Sequence, residues 1–217
     1  MQQRTIPQLF ETSVQQFSNN IMMLEKNGTT YRGTTYREIR DAVYETACGL
    51  LSIGIKKGDR IALIAEGRND WVISELAILY VGAINVPLSV KVNELSELKF
   101  RLAHSRCRMV IVSGSQAGKV QQLKNDLPDL EKIIHLDPQE HESDDEVSMR
   151  RVRELGKMYF EINAATFHQT WHSLNENDPA NICYTSGTTA DPKGIILTHR
   201  NYTANVEQAT ALLLFPA

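Results

Sequence analysis

Short β-branched runs alternate with amphipathic stretches through most of this chain, and that alternation limits its fold more than any other feature. Arg60-Ile61-Ala62-Leu63-Ile64-Ala65 reads as a buried strand. Asp70 to Val81 follows as a helix that Gly82 closes, and Ala83 to Val90 as a strand ending at Pro87 or soon after. Asn93 stands where it can cap a helix carrying Leu95, Leu98 and Leu102 on one face. Met109 to Val112 is a β-branched strand, Ala117 to Leu127 a polar helix stopped by Pro128, and Lys132 to Leu136 another strand. Strands joined by helices pair in parallel, so the expected class is α/β, with a mostly parallel sheet layered with helices.

Upstream, Thr35-Tyr36-Arg37-Glu38 has capping-box spacing. Tyr36, Ile39, Val43, Ala47, Leu50 and Leu51 then form a helical stripe, and Gly54 suits its end. Downstream, residues 137 to 149 turn polar and acidic, which predicts an exposed, mobile surface loop. Arg150 to Phe160 reads as helix, Glu176 to Pro179 as a turn, and Ala180 to Tyr184 as a last strand.

Of the 217 residues 42% are hydrophobic, enough for a full core and too many for general disorder. A net charge of −3 gives no electrostatic footprint for nucleic acid. Cys48, Cys107 and Cys183 are too few and scattered for a disulfide scaffold or a zinc site, which fits a reducing compartment. Met1 to Pro7 has no apolar signal core, and the most apolar window, Trp71 to Val90, is broken by Glu75, Asn85 and Pro87. A cytoplasmic protein without a transmembrane segment is expected.

The chemistry concentrates in Thr185-Ser186-Gly187-Thr188-Thr189-Ala190-Asp191-Pro192-Lys193-Gly194, between the strand ending at Tyr184 and the apolar run Ile195 to Leu197. Thr198 can then cap a helix through Tyr202 to Leu213. A phosphate chain needs inward backbone N–H groups, short hydroxyls and a cation. Thr185, Ser186, Thr188 and Thr189 supply hydroxyls, Gly187 and Gly194 allow close backbone approach, and Lys193 is a compact point charge. The spacing is not a Walker A loop, because Gly187 plus five is Pro192 and Gly194 follows the lysine. A solvated Ser/Thr-rich hairpin loop has a similar composition and is the plain alternative.

The run Tyr184 to Ile195, with Thr198-His199-Arg200-Asn201 after it, resembles the phosphate-loop signature of the adenylate-forming superfamily, which includes acyl-CoA synthetases. Thr35 to Ile39, Lys57 to Ala62, Asn69-Asp70-Trp71, Gly82-Ala83 and Val86-Pro87-Leu88 resemble that family's N-terminal region in order. Glu154-Leu155-Gly156 and Thr198 to Asn201 are similar to bacterial long-chain fatty acid CoA ligases. The resemblance implies the N-terminal portion of the large domain. It also implies a parent enzyme that uses ATP and Mg2+ to form an acyl-AMP from a fatty acid, releases pyrophosphate, and passes the acyl group to coenzyme A. Thr185, Ser186, Gly187, Thr188, Thr189, Lys193 and Gly194 would hold the β- and γ-phosphates.

Two departures qualify that expectation. The family usually has glycine at the position of Ala190, where an alanine disfavours positive φ by roughly 1 kcal/mol or more. The family's catalytic lysine, ribose-binding aspartate and adenine-binding elements belong beyond these 217 residues. No catalytic or metal-ligating residue is therefore assigned within them, and the chain alone is expected to be inactive. A non-catalytic nucleotide-binding or interaction module, or an adenylate-forming enzyme for another carboxylate, are the alternatives. Peripheral membrane contact stays open.

Other groups carry plainer readings. His168 and His172 share a helix face without a third metal ligand. Ser186 with His199 lacks a nucleophile elbow and an acid partner. Arg150, Arg151, Arg153 and Lys157 fit a helix face paired with nearby acids better than an anionic-lipid site.

Overall fold

The computed structural model describes residues 4–139, 141–185 and 192–213. Helix α1 (Ile6–Phe17) leads into an antiparallel hairpin of β1 (Ile21–Asn27) and β2 (Thr30–Thr35). There follow α2 (Tyr36–Ser52), β3 (Arg60–Ile64), α3 (Asn69–Tyr80), β4 (Ile84–Pro87), α4 (Leu95–Ser105), β5 (Met109–Val112) and α5 (Gly114–Leu123). The chain continues through β6 (Lys132–His135), β7 (Glu146–Ser148), α6 (Met149–His172), β8 (Pro179–Thr185), β9 (Lys193–Thr198) and α7 (His199–Leu213).

The strands from β3 onward form one seven-stranded sheet in the order β7-β6-β5-β3-β4-β8-β9. Every neighbouring pair in it is parallel except β8 and β9, which form an antiparallel hairpin at one edge. This is the expected α/β class.

Alternation along the central strands explains why helices cover both faces. Ile61, Leu63, Met109, Ile111 and Ile134 join one core with residues of α1, α2, α3 and α6. Ala62, Ile64, Val110, Val112 and Ile133 join a second core with α4 and α5. Each face of each strand therefore meets apolar side chains, which is why these segments read as continuous apolar runs.

Local chemistry sets many boundaries. Thr35 and Glu38 complete the capping box of α2. Gly82 has φ +70°, and a Cβ there would lie 2.8 Å from Leu174 Cδ2, so only glycine turns the chain after α3.

Several expectations are corrected. Asn93 is not a cap: α4 starts after Glu94, without a side-chain capping bond. Helix α5 begins at Gly114 rather than Ala117, with the Gly114 N–H donating to Asp137 Oδ2 at 2.7 Å. Helix α6 runs past Phe160 to His172 across non-helical backbone at Asn163. The acidic stretch 137–149 ends in β7, which pairs with β6. Glu146 is held there by His135 Nε2 at 2.9 Å, Gln121 Nε2 at 2.8 Å and Lys124 Nζ at 3.4 Å.

Candidate functional site

The hydroxyl-rich segment springs from the β8–β9 hairpin. Cys183 pairs with Ile195, Tyr184 with Gly194, and Thr185 with Lys193. Thr185 and Lys193 are thus the last cross-strand pair before the loop, and both are exposed. Ser186, Gly187, Thr188 and Thr189 lie outside the described residues, as do Ala190 and Asp191. Of the seven residues named from sequence, the structure brings Thr185, Lys193 and Gly194 together at the hairpin mouth. Because β8 runs parallel to β4, this mouth opens at the carboxyl edge of the parallel sheet. Ligands of open α/β sheets bind outside that edge.

Side chains on one face brace the stem. The Tyr184 hydroxyl donates to the Arg101 carbonyl oxygen at 3.2 Å and lies 2.8 Å from His104 Nδ1. The Arg101 guanidinium sits 5.7 Å from the Tyr184 ring centre, a cation–π distance. Burial pushes the Tyr184 phenol above its ordinary value, so it stays a hydroxyl donor. Gly194 lies within β9, opposite Tyr184, and its missing side chain leaves room for Ile182, whose Cγ2 would stand 3.0 Å from a Cβ there. Arg101 and His104 carried no sequence signal, because α4 presents them to β8 only in the folded sheet.

His199 is structural. It is buried, and its Nδ1 accepts the Ile6 N–H at 3.3 Å, tying the start of α7 to α1. Burial lowers its pKa to about 4, with nearby Asp178 opposing the shift. His168 Nδ1 accepts from Trp171 Nε1 at 3.3 Å, and His172 stacks on the same indole. Among the described residues no three His, Cys, Asp or Glu side chains gather to hold a metal ion. The basic face of α6 is paired: Arg150 with Glu154 at 2.9 Å, Arg153 with Asp70 at 2.7 Å, and Lys157 with Glu45 at 3.4 Å. Among the described residues no helix is long and apolar enough to cross a membrane.

Comparison with known proteins places this hairpin in a family. Residues 10–215 match the family model described as AMP-binding enzyme. The chain belongs to the AMP-binding enzyme family. The long-chain-fatty-acid–CoA ligase FadD15 of Mycobacterium tuberculosis is 29% identical over 178 residues, covering 82% of this chain. This AMP-binding chain spans only 28% of that relative's length. The crystal structure of the anthranilate CoA ligase AuaEII in complex with anthranoyl-AMP superposes with a TM-score of 0.77 at 20% identity, covering 94% of this chain and 36% of that one. The long-chain-fatty-acid–CoA ligase FadD1 of Archaeoglobus fulgidus gives 0.75 at 19% identity, covering 96% and 40%. At such identities these two structures speak for the fold of the AMP-binding chain.

Proposed function

We propose that this chain is the nucleotide-phosphate-holding part of an ATP-dependent acid–thiol ligase acting on long-chain fatty acids. The observation that carries the reading is the hairpin mouth, where Thr185 and Lys193 face each other across β8 and β9 at the carboxyl edge of the sheet. The loop between them supplies the hydroxyls of Ser186, Thr188 and Thr189 and one glycine, Gly187, in the family's pattern except at Ala190. Its work is positioning and charge neutralisation: the Lys193 ammonium, the hydroxyls of Thr185, Ser186, Thr188 and Thr189, and backbone N–H groups at Gly187 and Gly194 hold the β- and γ-phosphates. Pyrophosphate then leaves as the carboxylate oxygen attacks the α-phosphorus. Mg2+ travels with the nucleotide, and coenzyme A takes the acyl group in the longer enzyme. The fatty-acid assignment leans on the names of relatives such as FadD15. The chain alone is proposed to bind without turning over, in the cytoplasm.

The test is calorimetric titration of the 217-residue chain with Mg-ATP, alongside Lys193→Ala. Binding that weakens at least tenfold in the variant is expected. Absence of binding at millimolar Mg-ATP, or equal affinity in the variant, overturns the reading. Pyrophosphate release from ATP and palmitate by the chain alone would refute its incompleteness.

A further inference from the structure

Three polar side chains meet where the hairpin joins the parallel sheet. Strands β4 and β8 are registered through Asn85 and Asn181. Both asparagines are buried, at 0% and 2% exposure, in strands whose neighbours are apolar. Both reach α3 and donate to the same oxygen, Glu75 Oε1, from Asn85 Nδ2 at 3.1 Å and from Asn181 Nδ2 at 3.3 Å. Asn181 Nδ2 also donates to the Tyr202 hydroxyl at 2.7 Å, on the helix that follows β9. Strands β4 and β8 thus share one carboxylate, and the helix after the hairpin joins them through Asn181.

Such a cluster is costly to keep. Asn85 Oδ1 and Asn181 Oδ1 are buried without a hydrogen-bond partner. An apolar pair in these strands would avoid that desolvation penalty. Polar groups persist in a core where they select one arrangement over its neighbours. Here the alternatives are plain: a one-residue slip of β8 against β4 would turn every side chain of β8 to the opposite face. In that register the acceptor for Asn181 would be lost. Asn181, Cys183 and Thr185 share a face by the strand period, so the register at Asn181 also decides where Thr185 points.

We propose that Glu75, with Asn85 and Asn181, is a positioning clamp that fixes the register of the β8–β9 hairpin on the sheet and thereby aims Thr185 and Lys193. The aiming half of this statement rests on the phosphate-holding reading above; the register half does not.

The test uses the 217-residue chain with three substitutions. Glu75→Leu and Asn181→Val each remove the shared bond while suiting an apolar core, and Glu75→Gln keeps an accepting oxygen. Hydrogen–deuterium exchange is followed in peptides covering 179–185, 193–198 and, as internal controls, 60–64 and 109–112. Mg-ATP affinity is measured on the same samples. Expected are a tenfold or greater rise in exchange confined to the two hairpin strands in Glu75→Leu and Asn181→Val, at least fivefold weaker Mg-ATP binding, and near wild-type values for Glu75→Gln. Unchanged hairpin exchange overturns the clamp. A rise that is equal in the control strands, or loss of fold in both apolar variants, also overturns it by showing a general stabilising role. Faster hairpin exchange with unchanged affinity overturns the aiming half. If the wild-type chain binds no Mg-ATP, the phosphate-holding reading falls with the aiming half, and exchange alone decides the register.

Discussion

Ile182 Cγ2 occupies the space that a side chain at Gly194 would need. A Cβ on Gly194 would come to 3.4 Å from Tyr184 Cζ and 3.0 Å from Ile182 Cγ2. Ile182 pairs with Ile196, two residues along β9 from Gly194, so the contact is diagonal across the hairpin and built into its register. Gly194→Ala should cost about 1 kcal/mol and Gly194→Val about 3 kcal/mol, the range for overpacking. Urea titration should show a lower midpoint at constant slope. In an Ile182→Ala background the Gly194→Val penalty should shrink, which a double-mutant cycle reads directly. Equal penalties in both backgrounds would show that the Ile182 side chain is not what excludes one at Gly194.

A harder limit operates where α2 crosses α6. A Cβ on Gly156 would lie 1.8 Å from the Glu45 carbonyl oxygen, and one on Gly49 would lie 2.1 Å from the Val152 carbonyl oxygen. Both obstacles are backbone and cannot rotate aside. Gly156→Ala should therefore cost about 3 kcal/mol or more, the upper end for overpacking. Gly118 in α5 has open space around it, and Gly118→Ala should stabilise by roughly 0.5 kcal/mol or more through helix propensity. Thermal unfolding of the two variants should move in opposite directions.

These contrasts show which parts of the fold the sequence could display. Strands β3, β5 and β6 were legible within a residue or so because burial on both faces makes them continuous apolar runs. Strand β7 was not, because a three-residue edge strand with Glu146 and Ser148 owes its place to His135, Gln121 and Lys124, which are distant in sequence. The continuation of α6 was hidden by the break at Asn163, although Phe167 and Trp171 resume a buried stripe. For the site, loop chemistry could be read from Thr185 to Gly194, but the stem's supports could not. Asn85 and Asn181 were the available clue: each is a polar residue inside an otherwise apolar strand.

Glu11 joins two phenols. Tyr44 and Tyr80 both donate to Glu11 Oε1, at 2.7 and 2.6 Å, and burial raises both phenols well above their ordinary range. Tyr80 is fully buried, so its hydroxyl has little recourse to water. Glu11→Leu should cost about 1 to 3 kcal/mol, the penalty for a stranded buried donor. Glu11→Gln retains an accepting oxygen and should recover most of it. Chemical denaturation of the pair checks this, and equal stability for Glu11→Leu and wild type would sink it.

His199 gives the fold a defined acid limb. The neutral ring accepts the Ile6 N–H at Nδ1, and burial holds its pKa near 4, against 6.5 for a free histidine. Between those values the unfolded chain binds a proton that the folded chain refuses. Stability therefore rises with pH through this window: the contribution is complete above about 6.5 and is lost as pH falls toward 4. A depression from 6.5 to about 4 corresponds to about 3 kcal/mol. Acid-side losses from carboxylates such as Asp137 and Asp178, whose pKa values are lowered by Arg68 and Lys57 against the cost of burial, overlap the lower end. His199→Asn separates them, because an amide oxygen can replace Nδ1 as acceptor and does not titrate. Subtracting the variant's unfolding free energy from that of the wild type cancels the carboxylates common to both. The difference should fall by about 3 kcal/mol between pH 6.5 and pH 4. A difference that stays flat across that window would mean that the imidazole is protonated in the fold at no cost, and that the Ile6 N–H is not bound to it.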